Sequence, residues 1–116
     1  MRHTGRMCVV FLLSAGVSLA NAEGVARVDA ERLVNGMSKT DGSAHALAER
    51  HYLAGYLAGV ADAAEGKSWC ADRKIKSGEI DSAVLGELRK MPRDALRENA
   101  AAWVERILKQ KFPCRN

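Results

Sequence analysis

The first 22 residues have the three parts of a secretory signal peptide, and this segment limits what the rest of the chain can become. Residues 1–6 are short and basic, residues 7–19 are mostly apolar, and Ala20-Asn21-Ala22 has the small-x-small pattern of a cleavage site. The apolar run of about 14 residues is shorter than the roughly 20 that an uncleaved membrane anchor needs. We therefore predict a cleaved signal peptide and a working domain over residues 23–116, in the periplasm or outside the cell.

Cleavage changes both the size and the charge of the working protein. Ninety-four residues remain, which is enough for one domain with a modest core. Removing Arg2 and Arg6 leaves 16 basic and 14 acidic side chains, a net charge of +2. No run of lysine and arginine interleaves with aromatic residues, so the sequence disfavours a nucleic-acid-binding protein.

Two cysteines remain in the exported domain, because Cys8 leaves with the signal peptide. Cys70 and Cys114 are expected to pair in an oxidising compartment, and the alternative is two free buried thiols. A bridge between residues 44 positions apart stabilises a domain by roughly 4 kcal/mol in the chain-entropy model. Such a bridge would supply a large share of the stability of a small domain.

The apolar periodicity predicts an all-α fold with four helices and no strand. Asp29 and Ser77 are placed as N-caps of the first and third helices, and Pro92 ends the third. The predicted helices cover about residues 30–39, 43–64, 78–90 and 93–111.

The second helix is predicted to be the central one. It is rich in alanine, and it carries Gly55 and Gly59 one turn apart. Glycine inside a helix costs about 1 kcal/mol relative to alanine. Two glycines at this spacing therefore predict that another helix approaches closely there.

No constellation of catalytic or metal-binding residues stands out. His45 and His51 are six positions apart, which does not place them on one helical face, so a zinc site is not expected. Asp62 could be a lone functional carboxylate, although pairing with an arginine or capping a loop is the favoured alternative. Trp69 could be a binding aromatic, although packing against the neighbouring disulfide is favoured. The sequence thus indicates a binding or structural protein without a cofactor, and not an enzyme.

Three segments together resemble a known family. They are Tyr56-Leu57-Ala58-Gly59-Val60-Ala61-Asp62-Ala63, then Trp69-Cys70, then a last amphipathic helix ending in Phe112-Pro113-Cys114. Their order and spacing resemble the Rap/Tai family of type VI secretion immunity proteins over roughly residues 30–114. Members of that family are small exported helical proteins that protect a bacterium from toxins injected into its periplasm by its own kind.

The resemblance implies a partner and assigns roles to named positions. The best-known targets of the family are amidases that cut peptidoglycan peptides, and the inhibitor blocks the active-site cleft of the amidase. The resemblance also places Cys70 and Cys114 as the disulfide. It assigns a scaffold role, and no contact with a toxin, to Tyr56, Gly59, Val60, Asp62 and Trp69.

The chain departs from the family pattern in one respect. Family members often carry a second cysteine pair that joins helix one to helix two, and the comparable stretches here offer Met37 and Leu53. An acid-stress chaperone of the periplasm and a structural envelope protein stay open as alternatives to an immunity protein, and so does a homodimer.

Two turns are the predicted contact surface for a protein partner, because the apolar stripes of the helices are needed for the core. The first turn covers residues 65–68 and offers Lys67 and Ser68, and the second covers residues 92–94 and offers Arg93 and Asp94. Both lie at predicted helix ends, where charges and backbone groups project into solvent.

Overall fold

The computed structural model describes residues 28–115, and this part of the chain is mostly helical, as predicted. It contains five helices and no strand apart from two isolated bridges. The predicted signal peptide lies outside the described residues. Among those that are described, no helix is long and apolar enough to cross a membrane. The helices are α1 (Ala30–Ser38), α2 (Ala44–Ala64), α3 (Ser77–Leu88), α4 (Arg93–Leu96) and α5 (Ala100–Lys111).

Polar side chains cap the first two helices, which start within one residue of the predicted positions. The Asp29 carboxylate accepts a hydrogen bond from the Arg32 backbone N–H at 2.7 Å, and the Ser43 hydroxyl accepts one from the backbone N–H of Ala46 at 3.1 Å. Each bond satisfies a backbone donor that the first helical turn leaves without a partner. Helix α3 starts one residue earlier than predicted, so Ser77 lies inside it and Lys76 is its N-cap.

The predicted fourth helix is divided into two, and the single helix over residues 93–111 is wrong. The Asn99 side chain caps α5 by accepting a hydrogen bond from the Ala101 backbone N–H at 2.8 Å. The break frees backbone groups for the segment that precedes α1. The Ala30 N–H donates to the Glu98 carbonyl, and the Ala100 N–H donates to the Val28 carbonyl, both at 3.0 Å. A continuous helix would have used these groups internally.

One hydrophobic core joins the helices. Helix α2 packs against α1 and α5, and α5 also packs against α3. Within residues 28–115, no charged or polar side chain is buried, so the interior consists of apolar groups. The largest fully buried side chains are those of Trp69, Leu33, Leu53, Leu57, Leu88, Leu108, Val28, Val84 and Val104.

Another helix approaches closely at Gly36 of α1 and not at the two glycines of α2. A Cβ atom at Gly36 would fall well inside van der Waals contact of the buried Leu53 Cδ1 atom. At Gly55 and Gly59, no described atom lies within 4 Å of such a Cβ, so the predicted close approach at α2 is wrong. An apolar contact between Gly36 and Leu53 thus joins α1 to α2.

An ion pair beside this contact also ties α1 to α2. Arg32 donates to both carboxylate oxygens of Glu49, at 2.8 Å and 3.1 Å, and its guanidinium carbon lies 5.2 Å from the centre of the Tyr52 ring. The hydrogen bond from Arg32 holds the pKa of Glu49 below its usual range. Both side chains of the pair are in contact with solvent, which weakens their attraction. The pair therefore contributes little to the free energy of unfolding and mainly fixes the orientation of α1 relative to α2.

Candidate partner-binding surface

The first predicted contact turn is a rigid structure at the end of α2. Gly66 has a φ of 76°, a backbone conformation that side-chain-bearing residues rarely adopt, and its N–H donates to the Trp69 carbonyl at 2.7 Å. The N–H groups of Lys67 and Ser68 both donate to the Ala64 carbonyl, at 3.1 Å and 2.9 Å. These bonds fix the backbone and leave the Lys67 side chain exposed at the tip.

Trp69 anchors this turn to the core. Its side chain is 2 % exposed, its indole N–H donates to the Ala61 carbonyl at 2.8 Å, and its ring lies 6.0 Å from that of Phe112. Trp69 is therefore a core residue, as favoured by the sequence, and not a binding aromatic.

A disulfide fastens the chain directly after the turn. Cys70 and Cys114 are bonded, with their Cα atoms 4.7 Å apart, and the Cys70 N–H donates to the Phe112 carbonyl at 2.9 Å. The pairing agrees with the prediction and leaves neither thiol free. Trp69 and Cys70 together fix the end of the turn to the rest of the domain, so the position of its exposed residues is fixed as well.

A shallow groove of about 520 Å³ lies between this turn and the start of α5. Ser68 donates a hydrogen bond from its hydroxyl to the Glu105 carboxylate, which closes one end of the groove. Small apolar side chains form most of the walls, and polar groups lie around the rim. The lining residues are Val60, Ala63, Ala64, Lys67, Ser68, Asn99, Ala101, Ala102 and Glu105.

The second predicted contact turn lies apart from this groove. Arg93 and Asp94 are exposed in the first turn of α4, and neither lines the groove. Helix α4 is fastened to α5 by the Trp103 indole N–H, which donates to the Ala95 carbonyl at 2.9 Å. Positions 103 and 105 point about 200° apart around a helix. The structure therefore attaches the two predicted turns to nearly opposite sides of α5.

The family-motif residues divide into packed and exposed positions. Tyr56 and Val60 are half-buried against the core, and burial raises the pKa of the Tyr56 hydroxyl. Gly59 and Asp62 are exposed on α2. Within the described residues, the Asp62 carboxylate makes no hydrogen bond or ion pair, so neither of the two favoured roles, pairing with an arginine or capping a loop, is observed there.

The sequence interpretation missed the part that α5 plays in the groove. Glu105 falls within the predicted helix over residues 93–111, and nothing local to it indicates a bond to Ser68, which is 37 positions earlier. Asn99 was not singled out either, although asparagine before an alanine-rich apolar run is a helix N-cap signal.

The groups at this surface are suited to recognising a protein. They comprise one cation, one carboxylate already bonded to a hydroxyl, one amide and a small apolar floor. His45 and His51, which the sequence analysis considered as zinc ligands, are exposed on α2 and do not line the groove. Among residues 28–115, no group of three or more histidine, cysteine or acidic side chains is placed to hold a metal ion.

Comparison with known proteins identifies the family. The sequence matches the family profile described as Rap1a immunity proteins over residues 18–114, which is most of the chain. No curated protein sequence matches it. The profile match confirms the resemblance carried by the α2 motif, Trp69-Cys70 and the C-terminal cysteine. The family is typically periplasmic, is generally non-enzymatic and acts by binding a toxin. On this match, the chain belongs to the Rap1a immunity protein family.

Proposed function

We propose that this chain is exported to the periplasm, where it binds and inhibits a toxin delivered by type VI secretion, and that the toxin is a peptidoglycan amidase. Family membership over residues 18–114 is the observation that carries this proposal. The signal-peptide pattern of residues 1–22 supports the compartment. We further propose that the protein has no catalytic activity of its own.

The turn at residues 65–68 is the proposed principal contact. A loop that blocks a catalytic cleft must hold its shape, because ordering a mobile loop on binding reduces affinity. Three backbone hydrogen bonds, the buried Trp69 ring and the Cys70 bridge all fix this turn before any partner arrives. Lys67 at the tip would enter the cleft, and the apolar groove behind it would cover the rim of the toxin.

The turn at Arg93 and Asp94 is proposed as a separate, secondary contact. It is exposed and charged, but it is attached to another side of α5 and shares no groove with Lys67. A toxin that reached both turns would have to wrap around α5. Substitution at Arg93 is therefore expected to weaken binding less than substitution at Lys67.

Calorimetry with a catalytically inactivated amidase from a neighbouring gene tests the proposal. Inhibitors of this kind need a dissociation constant near nanomolar, or roughly −12 kcal/mol. Lys67→Ala is expected to weaken binding by about 2 kcal/mol, or roughly 30-fold, as for a residue at the centre of an interface. Lys39→Ala, at the end of α1, is the matched control and should leave the affinity unchanged.

Two results would contradict parts of this proposal. If the protein ignored every amidase offered but captured unfolded proteins at about pH 3, the acid-stress chaperone would replace the immunity function. If both Lys67→Ala and Arg93→Ala still bound the toxin tightly, the toxin would be supported as the partner and the two proposed contact turns would be refuted.

A further inference from the structure

Charge is divided unevenly along the described chain. Residues 28–66 contain three lysine or arginine and six acidic side chains, whereas residues 67–115 contain twelve and seven. The first half of the described chain therefore has a net charge of −3 and the second half, which we call the basic part, a net charge of +5. Surfaces of one sign steer partners of the opposite sign and reject those of the same sign.

The basic part contains a second groove, beside the disulfide. This groove of about 320 Å³ has apolar walls from Ile75, Phe112 and Pro113, and its rim carries Arg73, Lys111 and Arg115. We call it the disulfide-end groove. Asp72 is the one acidic side chain that lines it. A site of this composition suits a ligand that presents carboxylates around an apolar centre.

Ion pairs hold the rim cations in place without using all of their hydrogen-bond donors. Arg73 pairs with Glu79 at 2.7 Å, and Arg115 pairs with Asp72 at 3.2 Å. Their side chains remain 62 % and 84 % exposed. An arginine has five N–H donors, and one carboxylate occupies two of them at most. Each rim arginine can therefore donate hydrogen bonds to a second carboxylate, supplied by a partner.

The cations outnumber their acidic partners around this groove. Glu87 hydrogen-bonds to both Lys111 and Lys90, so one carboxylate serves two lysines and links the rim to the end of α3. Lys74, in the exposed loop next to Arg73, makes no ion pair with any residue that the structure describes. The lining itself has three cations and one acidic side chain, and counting the pairing partners Glu79 and Glu87 together with Lys74 and Lys90 beside the groove gives five cations and three acidic side chains.

The walls of the disulfide-end groove are held together before binding. The Cys70–Cys114 bond and the hydrogen bond from the Cys70 N–H to the Phe112 carbonyl join the loop wall to the C-terminal wall. Cys70 lies two positions after Ser68, so the same short segment separates this groove from the one beside Lys67. A partner that covered both sides of this segment would contact both grooves.

We infer that the disulfide-end groove binds an acidic segment of the toxin, with carboxylates on Arg73 and Arg115 and an apolar side chain against Ile75 and Phe112. Lys74, in the adjoining loop, adds positive charge beside the groove and attracts the segment during encounter. This inference rests on the proposed immunity function. It adds the chemistry of the partner, since a toxin recognised here must carry an acidic patch beside its cleft.

Binding kinetics of charge variants against the inactivated neighbouring amidase test the inference. Lys74→Glu should weaken binding about threefold to tenfold, mainly through a slower association rate, because exposed charges at an interface act on encounter. Arg115→Gln should weaken binding less, since it removes one charge without reversing it. Lys39→Glu makes the same charge change as Lys74→Glu in the first half of the described chain and is the control. Thermal unfolding of each variant checks that the fold is unchanged.

The outcomes separate this inference from the function on which it rests. Tight wild-type binding that weakens with added salt and is reduced by Lys74→Glu supports both. Tight binding that is equal in Lys74→Glu and Lys39→Glu overturns the acidic-segment inference alone. No wild-type binding overturns the function. A last outcome concerns the cell envelope. If the protein co-sedimented with peptidoglycan or with phosphatidylglycerol vesicles, and Lys74→Glu abolished this binding but left toxin binding unchanged, the groove would bind the envelope and the inference would be overturned.

Discussion

Two glycines in different helices should respond in opposite directions to the same substitution. At Gly59, a Cβ would meet no described atom within 4 Å, and the position is exposed inside α2. Alanine is preferred to glycine there by about 0.5–1 kcal/mol, because glycine loses more conformational freedom on folding. We expect Gly59→Ala to raise the melting temperature by about 2–8 °C in a domain of this size.

At Gly36 the same change places an atom into occupied space. The new Cβ would overlap the Cδ1 atom of Leu53 and lie 3.3 Å from Cγ of Glu49. Leu53 is fully buried, so it cannot move into solvent. Overpacking of this kind costs about 1–3 kcal/mol, which the helix preference of alanine offsets by about 1 kcal/mol. We expect Gly36→Ala to be less stable than the wild type by up to about 2 kcal/mol.

Urea unfolding of the two variants, each made also in a Leu53→Val background, measures the effect. Valine at position 53 has no Cδ1 atom, so the cost of Gly36→Ala should fall by about 0.5 kcal/mol or more, as for residues in contact. Gly59→Ala should have the same effect in both backgrounds. If Gly36→Ala stabilised the protein as Gly59→Ala does, or cost the same in both backgrounds, the α1–α2 contact described above would be wrong.

The remaining predictions concern the bridge, acid and export. Cys70→Ser, Cys114→Ser and the double variant should each lose about 2–5 kcal/mol in urea unfolding, and additive losses would refute a shared bond. Hydrogen bonds from Lys111 and then Lys90 lower the pKa of Glu87, so its stabilising effect should be complete above pH 4.5. It should disappear as the pH falls through the lowered pKa. Glu87→Gln should flatten this part of the stability profile, and an unchanged profile would refute the assignment. Intact mass of periplasmic protein should give a chain that begins at Glu23 with no free thiol, and a retained residue 1 would refute cleavage.

Most of the scaffold could be predicted because its signals are local. Asp29 is an N-cap at the predicted position, and the apolar periodicity placed α1, α2 and α3 to within a few residues. The Cys70–Cys114 bond followed from two cysteines in an exported domain. Trp69 was correctly favoured as a packing residue because it stands next to one of those cysteines.

The errors arise where long-range contacts decide the outcome. Residues 93–111 have a continuous helical pattern, and the break at Asn99 combines a local cap by its own side chain with the long-range pairing of Val28 with Ala100 and of Ala30 with Glu98. Glycine spacing in α2 indicated a close approach without identifying a partner helix. The approach instead uses a single glycine in α1, Gly36, whose role depends on Leu53, 17 positions later.

The exposure of the two proposed contact turns was predictable from the sequence, but their arrangement in the fold was not. Lys67 and Ser68 lie in an exposed, fixed turn, as expected of a helix end that precedes an anchored cysteine. The sequence contains nothing local that joins Ser68 to Glu105, or that separates this turn from Arg93 around α5. Such relations appear only when the helices are packed.

Survival of cells that direct the neighbouring toxin into their own periplasm tests the central claim most directly. Cells that also make this chain should grow normally, and removal of residues 1–22 should abolish protection while the protein still accumulates in the cytoplasm. A Lys67→Ala chain should protect at high expression and fail at low expression, because its affinity is reduced. Lysis at the same rate with and without the exported chain would contradict the assignment of this protein as an immunity protein for that toxin.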